Sequence, residues 1–136
     1  MTVSGPAVPR RGLKAPLHES DYAEGGTLIY LLRIAGHRIF IMGSMNYIER
    51  EVDGLRPDVA IIGAGSGRKE IYDYTPRLMQ ALGNPAVVFP THWDDYAIKP
   101  RAVALKAVIV FADEVRAASP QTKVIVPDYF APVTLP

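Results

Sequence analysis

An α/β fold, with a mixed β-sheet and its helices on one face, is what this 136-residue sequence predicts. Three observations carry that reading. Two apolar segments, Thr27 to Arg33 and Arg38 to Met42, are joined by Ala35-Gly36, which is the pattern of an antiparallel hairpin. Beyond the hairpin, short β-branched runs alternate with segments of helical spacing, the pattern that makes neighbouring strands parallel. Hydrophobic residues make up 49% of the chain and charged ones 21%, a globular balance with material for one core.

The elements follow in order. Residues 1–24 mix Pro, Gly and charge without periodicity and read as an irregular N-terminal arm, leaving 25–136 as the folded unit. After the hairpin, Gly43 ends the second strand. Met45 to Gly54 then places Ile48, Val52 and Leu55 at helical spacing with Glu49 and Glu51 outward, a short helix. Val59 to Ile62 is a buried strand, and Gly63 to Gly67 a flexible loop. Thr75 is the expected N-cap and Pro76 the first residue of a helix that turns Leu78, Met79 and Leu82 inward and stops at Gly83. Ala86 to Phe89 is the next strand, stopped by Pro90. The longest helix runs from Arg101 to Ala118, with Ala104, Val108, Phe111 and Val115 on one stripe. Lys123 to Val126 is the last strand. Three helices cover one face of such a sheet, and something else must cover the other.

Composition excludes several function classes. A formal net charge of +1 offers no electrostatic case for nucleic acid or an anionic membrane. The chain has no cysteine, so any metal must use His, Asp, Glu or water. No run is apolar and long enough to span a membrane, and the N-terminus lacks the apolar segment of a signal peptide; the location expected is the cytoplasm. Gly63-Ala64-Gly65-Ser66-Gly67 follows a strand but fails the dinucleotide spacing, because Arg68 stands where the last glycine belongs.

The stretch Pro85 to Tyr96, PAVVFPTHWDDY, carries the most chemistry. In an open α/β sheet ligands collect just past the carboxyl ends of the strands, and His92 stands at such an end. It reads as a metal ligand, or alternatively as a structural His beside Trp93. Asp94 and Asp95 either orient its ring and meet substrate or form a solvated loop. Tyr72, Asp73 and Tyr74 either line a pocket or pack beside the next helix, while His37 falls in the hairpin turn and faces solvent.

The run GGTLIYLLRIAGHRIFIMGSMNYIEREVDGLRPDVAIIGAG, followed by VVFPTHWDDY and KVIVPDYFAPV, resembles the C-terminal half of a metallo-β-lactamase-fold metal-dependent hydrolase over about Glu24 to Val133. The resemblance implies half of an αββα sandwich, with the metal site along the edge between the halves. The family's HxHxDH motif belongs to the N-terminal half and is absent here. Of the remaining ligands, the last His matches Pro90-Thr91-His92, and an earlier His matches the position of His18. The bridging Asp is replaced: Gly43-Ser44 stands where the family has Gly-Asp, and a neutral hydroxyl cannot serve as a bridging carboxylate.

The resemblance therefore implies His92 and His18 as ligands for zinc or another divalent metal; Glu49, close to Ser44 in sequence, has a separate reading as a substitute ligand. The resemblance makes Ser44 and Asp94 the candidate catalytic groups, and Trp93, Asp95 and Tyr74 the candidate substrate contacts. Ser44 has a second reading as an N-cap for the helix after it, and Asn46 stands close by. Completed by the missing half, such a site would activate water against a small-molecule ester, lactone, amide or phosphoester. Alone, this truncated domain would be inactive. The alternative is a non-catalytic half-domain that pairs with itself as a homodimer or with a partner chain.

Overall fold

The computed structural model describes residues 12, 14–16, 27–94 and 101–135. His18, Asp95 and most of the predicted arm lie outside the described residues. Ala35 and Gly36 both take positive φ, 50° and 83°. That is the condition for a two-residue hairpin turn whose twist matches its strands. It joins β1 (Tyr30–Ile34) to β2 (His37–Met42) in antiparallel register, Leu32 opposite Ile39. His37 is thus the first residue of β2 and half-buried, not a solvent-facing turn residue.

From β2 onward every new strand adds in parallel: β3 (Val59–Gly63), β4 (Val87–Thr91) and β5 (Lys123–Val124), giving a five-stranded sheet in the order β1-β2-β3-β4-β5. The crossovers carry the helices α1 (Glu49–Val52), α2 (Tyr74–Ala81) and α3 (Arg101–Ala118). The mixed sheet and the three helices are as predicted.

Several boundaries differ, each for a local reason. The first helix shrinks to four residues, capped at Ile48 without a side-chain bond. Ser44 is too far upstream to cap it; its Oγ instead accepts the Asn46 N–H at 3.2 Å. Thr75 does not cap α2, which begins at Tyr74 after Asp73, held at φ 46°. The Thr75 hydroxyl is drawn away to the Glu114 carboxylate at 2.8 Å. β4 does not stop at Pro90. The Val88 carbonyl bonds toward β5, accepting the Ile125 N–H at 2.9 Å. Pro90, two residues on, therefore turns its missing N–H to the same side, where β5 has already ended at Val124, and no ladder bond is lost.

Strand alternation separates two faces. Phe40, Ala60 and Val88 stand in one row, and Met42 and Ile62 in the next. They pack against Val52, Leu78, Met79, Val108, Phe111 and Val115 of the helices in one core. Phe40, Ile62, Leu78 and Phe111 are wholly excluded from solvent, each burial worth about 1.5–3 kcal/mol.

The other face is apolar as well. Tyr30, Ile41, Ile61 and Phe89 form one row across four strands, and Leu32, Ile39, Val59 and Val87 the next. No described helix packs on it. Tyr30 and Ile34 on the edge strand are 51% and 56% exposed there, whereas Val59 and Val87 further in are 3% and 5% exposed; no carboxylate stands in these rows, and the second ends on Lys123.

Candidate functional site

Where β3 and β4 end, the chain turns sharply twice, and the two turns touch. After β3, Gly63-Ala64-Gly65 leads into a short 3-10 turn, Ser66–Glu70. After β4, His92 takes φ 53°. That left-handed backbone costs a histidine about 1 kcal/mol or more and is the kind of strain that collects at functional sites. The Thr91 carbonyl accepts the Ala64 N–H at 2.8 Å, tying the two turns together.

The glycines are there for contact. A Cβ on Gly65 would stand 2.8 Å from the His92 carbonyl oxygen, and one on Gly63 would stand 2.9 Å from that of Ser44. The Met45 thioether fills the space beside Gly63, Gly65 and Gly67. The segment predicted as a flexible loop is therefore a packed turn.

His92 Nδ1 lies 3.0 Å from the Gly43 carbonyl oxygen. A carbonyl only accepts, so Nδ1 carries the proton, and in the neutral ring Nε2 keeps its lone pair. The side chain is exposed, so that lone pair is available to a metal or a proton. Trp93 beside it is buried at 9% exposure and lies parallel to Tyr129, ring centroids 6.3 Å apart and planes 7° from parallel. The Tyr129 hydroxyl donates to Asp94 Oδ2 at 2.7 Å, which ties the C-terminal turn to the His92 turn. Together with α3 these turns enclose a cleft of about 300 Å³, lined by Met45, Lys69, His92, Trp93, Val103 and Val110 among others.

Under the cleft lies a network that the sequence reading missed. Arg68, 3% exposed, donates from Nε and Nη2 to both oxygens of Glu114 on α3 at 3.0 and 2.9 Å. Its Nη1 donates to the Ala64 and Gly65 carbonyls at 3.0 and 3.2 Å, and its guanidinium carbon sits 5.5 Å from the centre of the Phe111 ring. The arginine thus bolts the glycine turn to α3. Burial alone would raise the Glu114 carboxyl, but hydrogen bonds from Arg68 and Thr75 and the Arg68 charge outweigh it and hold the group below its ordinary range. The available signal was Glu114 itself, an acid three residues from Phe111 on the flank of an apolar stripe.

The predicted site residues divide. His92, Trp93 and Asp94 come together at the cleft. Tyr74 does not join them: its ring is buried at 3% exposure and its hydroxyl donates to the Gly63 carbonyl at 2.8 Å, so it supports the β3 end from below. Desolvation raises its phenol well above the ordinary value. Ser44 stands beside the Gly63 backbone but not in the cleft wall. Glu49 pairs with Arg77, whose Nε donates to it at 3.0 Å, and does not line the cleft.

A hydrolytic zinc site uses about three protein ligands and an open position. Among the described residues no three His, Cys, Asp or Glu side chains are placed to hold a metal. His92 supplies one nitrogen, Ser44 has no anionic oxygen, and Asp94 is engaged by Tyr129. The described residues do not by themselves fit the metal that the resemblance implies. No helix among them is long and apolar enough to cross a membrane. Comparison with protein-family models, with curated proteins and with solved structures finds no match.

Proposed function

We propose that this chain is one half of a metallo-β-lactamase-like sandwich, a sheet-and-helix layer that works only when a second layer covers its open face. The observation that carries the reading is the pair of apolar rows on the side away from α1, α2 and α3. A face of Ile, Leu, Val, Phe and Tyr with no carboxylate is what the inside of a sheet-on-sheet core looks like, not a surface meant for water. In purified protein a second copy of this chain takes that place, since a self-complementary two-fold contact is the commonest way to cover such a surface.

In this reading the reaction of the completed protein is a hydrolysis, and this chain contributes two things to it. His92 presents the Nε2 lone pair at the rim, held in one tautomer by Gly43. The cleft behind it receives the organic part of the substrate. Zinc or another divalent ion would need its other ligands from the second layer.

Elemental analysis tests this. Untagged protein dialysed against a weak chelator is expected to retain well under one equivalent of zinc per chain. About one equivalent, lost in His92→Ala, would show that this chain or its dimer assembles the site unaided and would overturn the reading that the missing ligands must come from a different second layer.

A further inference from the structure

We infer that Tyr129 is a positioning residue for His92: it clamps the far side of the His92 turn and so keeps the imidazole in the one tautomer presented at the rim. This rests on the reading of His92 as the working group of the rim, and it is tested without metal or substrate.

The topology brings the clamp to the right place. β5 runs parallel to β4, and the Ile125 N–H continues the ladder on the Val88 carbonyl at 2.9 Å. The chain that leaves β5 therefore travels toward the end of the sheet at which His92 stands. There it turns, the Ala131 N–H donating to the Asp128 carbonyl at 3.3 Å. Phe130, third in this turn, takes φ 62°. Glycine is the usual residue at such a position, because a side chain at positive φ strains the backbone. The Phe130 ring is wholly exposed, so its own packing offsets none of that strain.

Tyr129, one position earlier, makes the contacts instead. Its ring lies parallel to Trp93, and its hydroxyl donates to Asp94 Oδ2 at 2.7 Å. One side chain thus grips both residues that follow His92. The His92 backbone is itself strained, at φ 53°. Two left-handed residues, His92 and Phe130, therefore stand directly beside the two ends of one contact, and such conformations persist only where their surroundings over-determine them.

Upstream, His92 is held by the sheet, with Thr91 opposite Gly63 and its carbonyl accepting the Ala64 N–H. Downstream, the hold passes through Tyr129. Released there, the turn is free to leave its left-handed backbone and carry the ring off the Gly43 carbonyl. Nδ1 then loses the acceptor that fixes its proton.

Both readouts are assignable in the full chain. Trp93 is its one tryptophan, and of its three histidines His92 gives the signals missing from His92→Gln. Tyr129→Ala is expected to shift the tryptophan emission to the red and to replace the single Nδ1–H form of His92 by a tautomer mixture in the imidazole nitrogen shifts. Its urea midpoint by circular dichroism is expected to stay close to wild type, because Tyr129 is 52% exposed. Tyr129→Phe keeps the ring and loses the hydroxyl; it is expected to leave the emission unchanged and to show a smaller share of the second tautomer. Phe130→Gly relieves the turn and leaves Tyr129 in place, so both signals are expected to match wild type. On metal-free protein these signals do not depend on the zinc assay, so the two readings fail separately. An imidazole spectrum that is unchanged in Tyr129→Ala, or that changes only in step with a fall in the urea midpoint, would overturn the assignment.

Discussion

Arg68→Met is expected to destabilise the fold by about 3 kcal/mol, read as a fall in the urea midpoint at unchanged slope. Removing one partner of a buried ion pair leaves the other unpaired, and such losses run about 3–5 kcal/mol. The low end applies because Glu114 is 34% exposed and can turn partly to water. The loss also frees the Ala64 and Gly65 carbonyls that Arg68 holds, so the glycine turn under the cleft loosens along with it. The pH dependence has a definite sign. The native Glu114 carboxyl lies below its ordinary value. Its contribution is therefore complete above the ordinary glutamate value of about 4.3 and is lost as the pH falls through the lower native value. The gap between wild type and Arg68→Met is expected to be constant near neutrality and to narrow in acid. A gap that stays constant through strong acid would contradict the pairing.

Gly63→Ala should cost about 1–3 kcal/mol, the usual range for overpacking. The added methyl would stand 2.9 Å from the Ser44 carbonyl oxygen and 3.0 Å from that of Gly43. Both are backbone atoms, so the β2 end must move. The Gly43 carbonyl is the acceptor that fixes the His92 tautomer, so the damage reaches the site. Nitrogen chemical shifts of the imidazole should show a single Nδ1–H form in the wild type and a tautomer mixture in the variant. Gly43→Ala is the matched control: nothing stands within 4 Å of its added methyl, and its stability should change little. Equal effects of the two substitutions would remove the steric argument.

The parts of the fold that were legible in the sequence are those ruled by short-range physics. The hairpin followed from Ala35-Gly36, and α3 appeared with its predicted bounds because an 18-residue apolar stripe between Pro100 and Ser119 leaves little choice. The strand that runs through Pro90 was not legible, because it depends on how far β5 extends, and that is tertiary information. Thr75 was misread for the same reason: a good capping residue gave its hydroxyl to Glu114, which lies 39 positions away. At the site, the strand-end position of His92 was readable, and the cleft around it partly so through Trp93 and Asp94. Arg68 was visible only as the residue that broke a glycine pattern. Its role became apparent once α3 brought Glu114 beside it.

The central claim is that the face carrying Tyr30, Leu32, Ile34, Ile39, Ile41, Ile61 and Phe89 is built to be covered by a second layer. Sedimentation velocity across a micromolar concentration series, on the wild type and on Leu32→Lys/Ile34→Lys, tests it most directly. Both substituted side chains are exposed on that face, so the double variant keeps the helix-side core intact. The wild type is expected to sediment as a reversible dimer and the double variant as a folded monomer. A wild type that remains monomeric at every concentration and binds no hydrophobic dye would contradict the account.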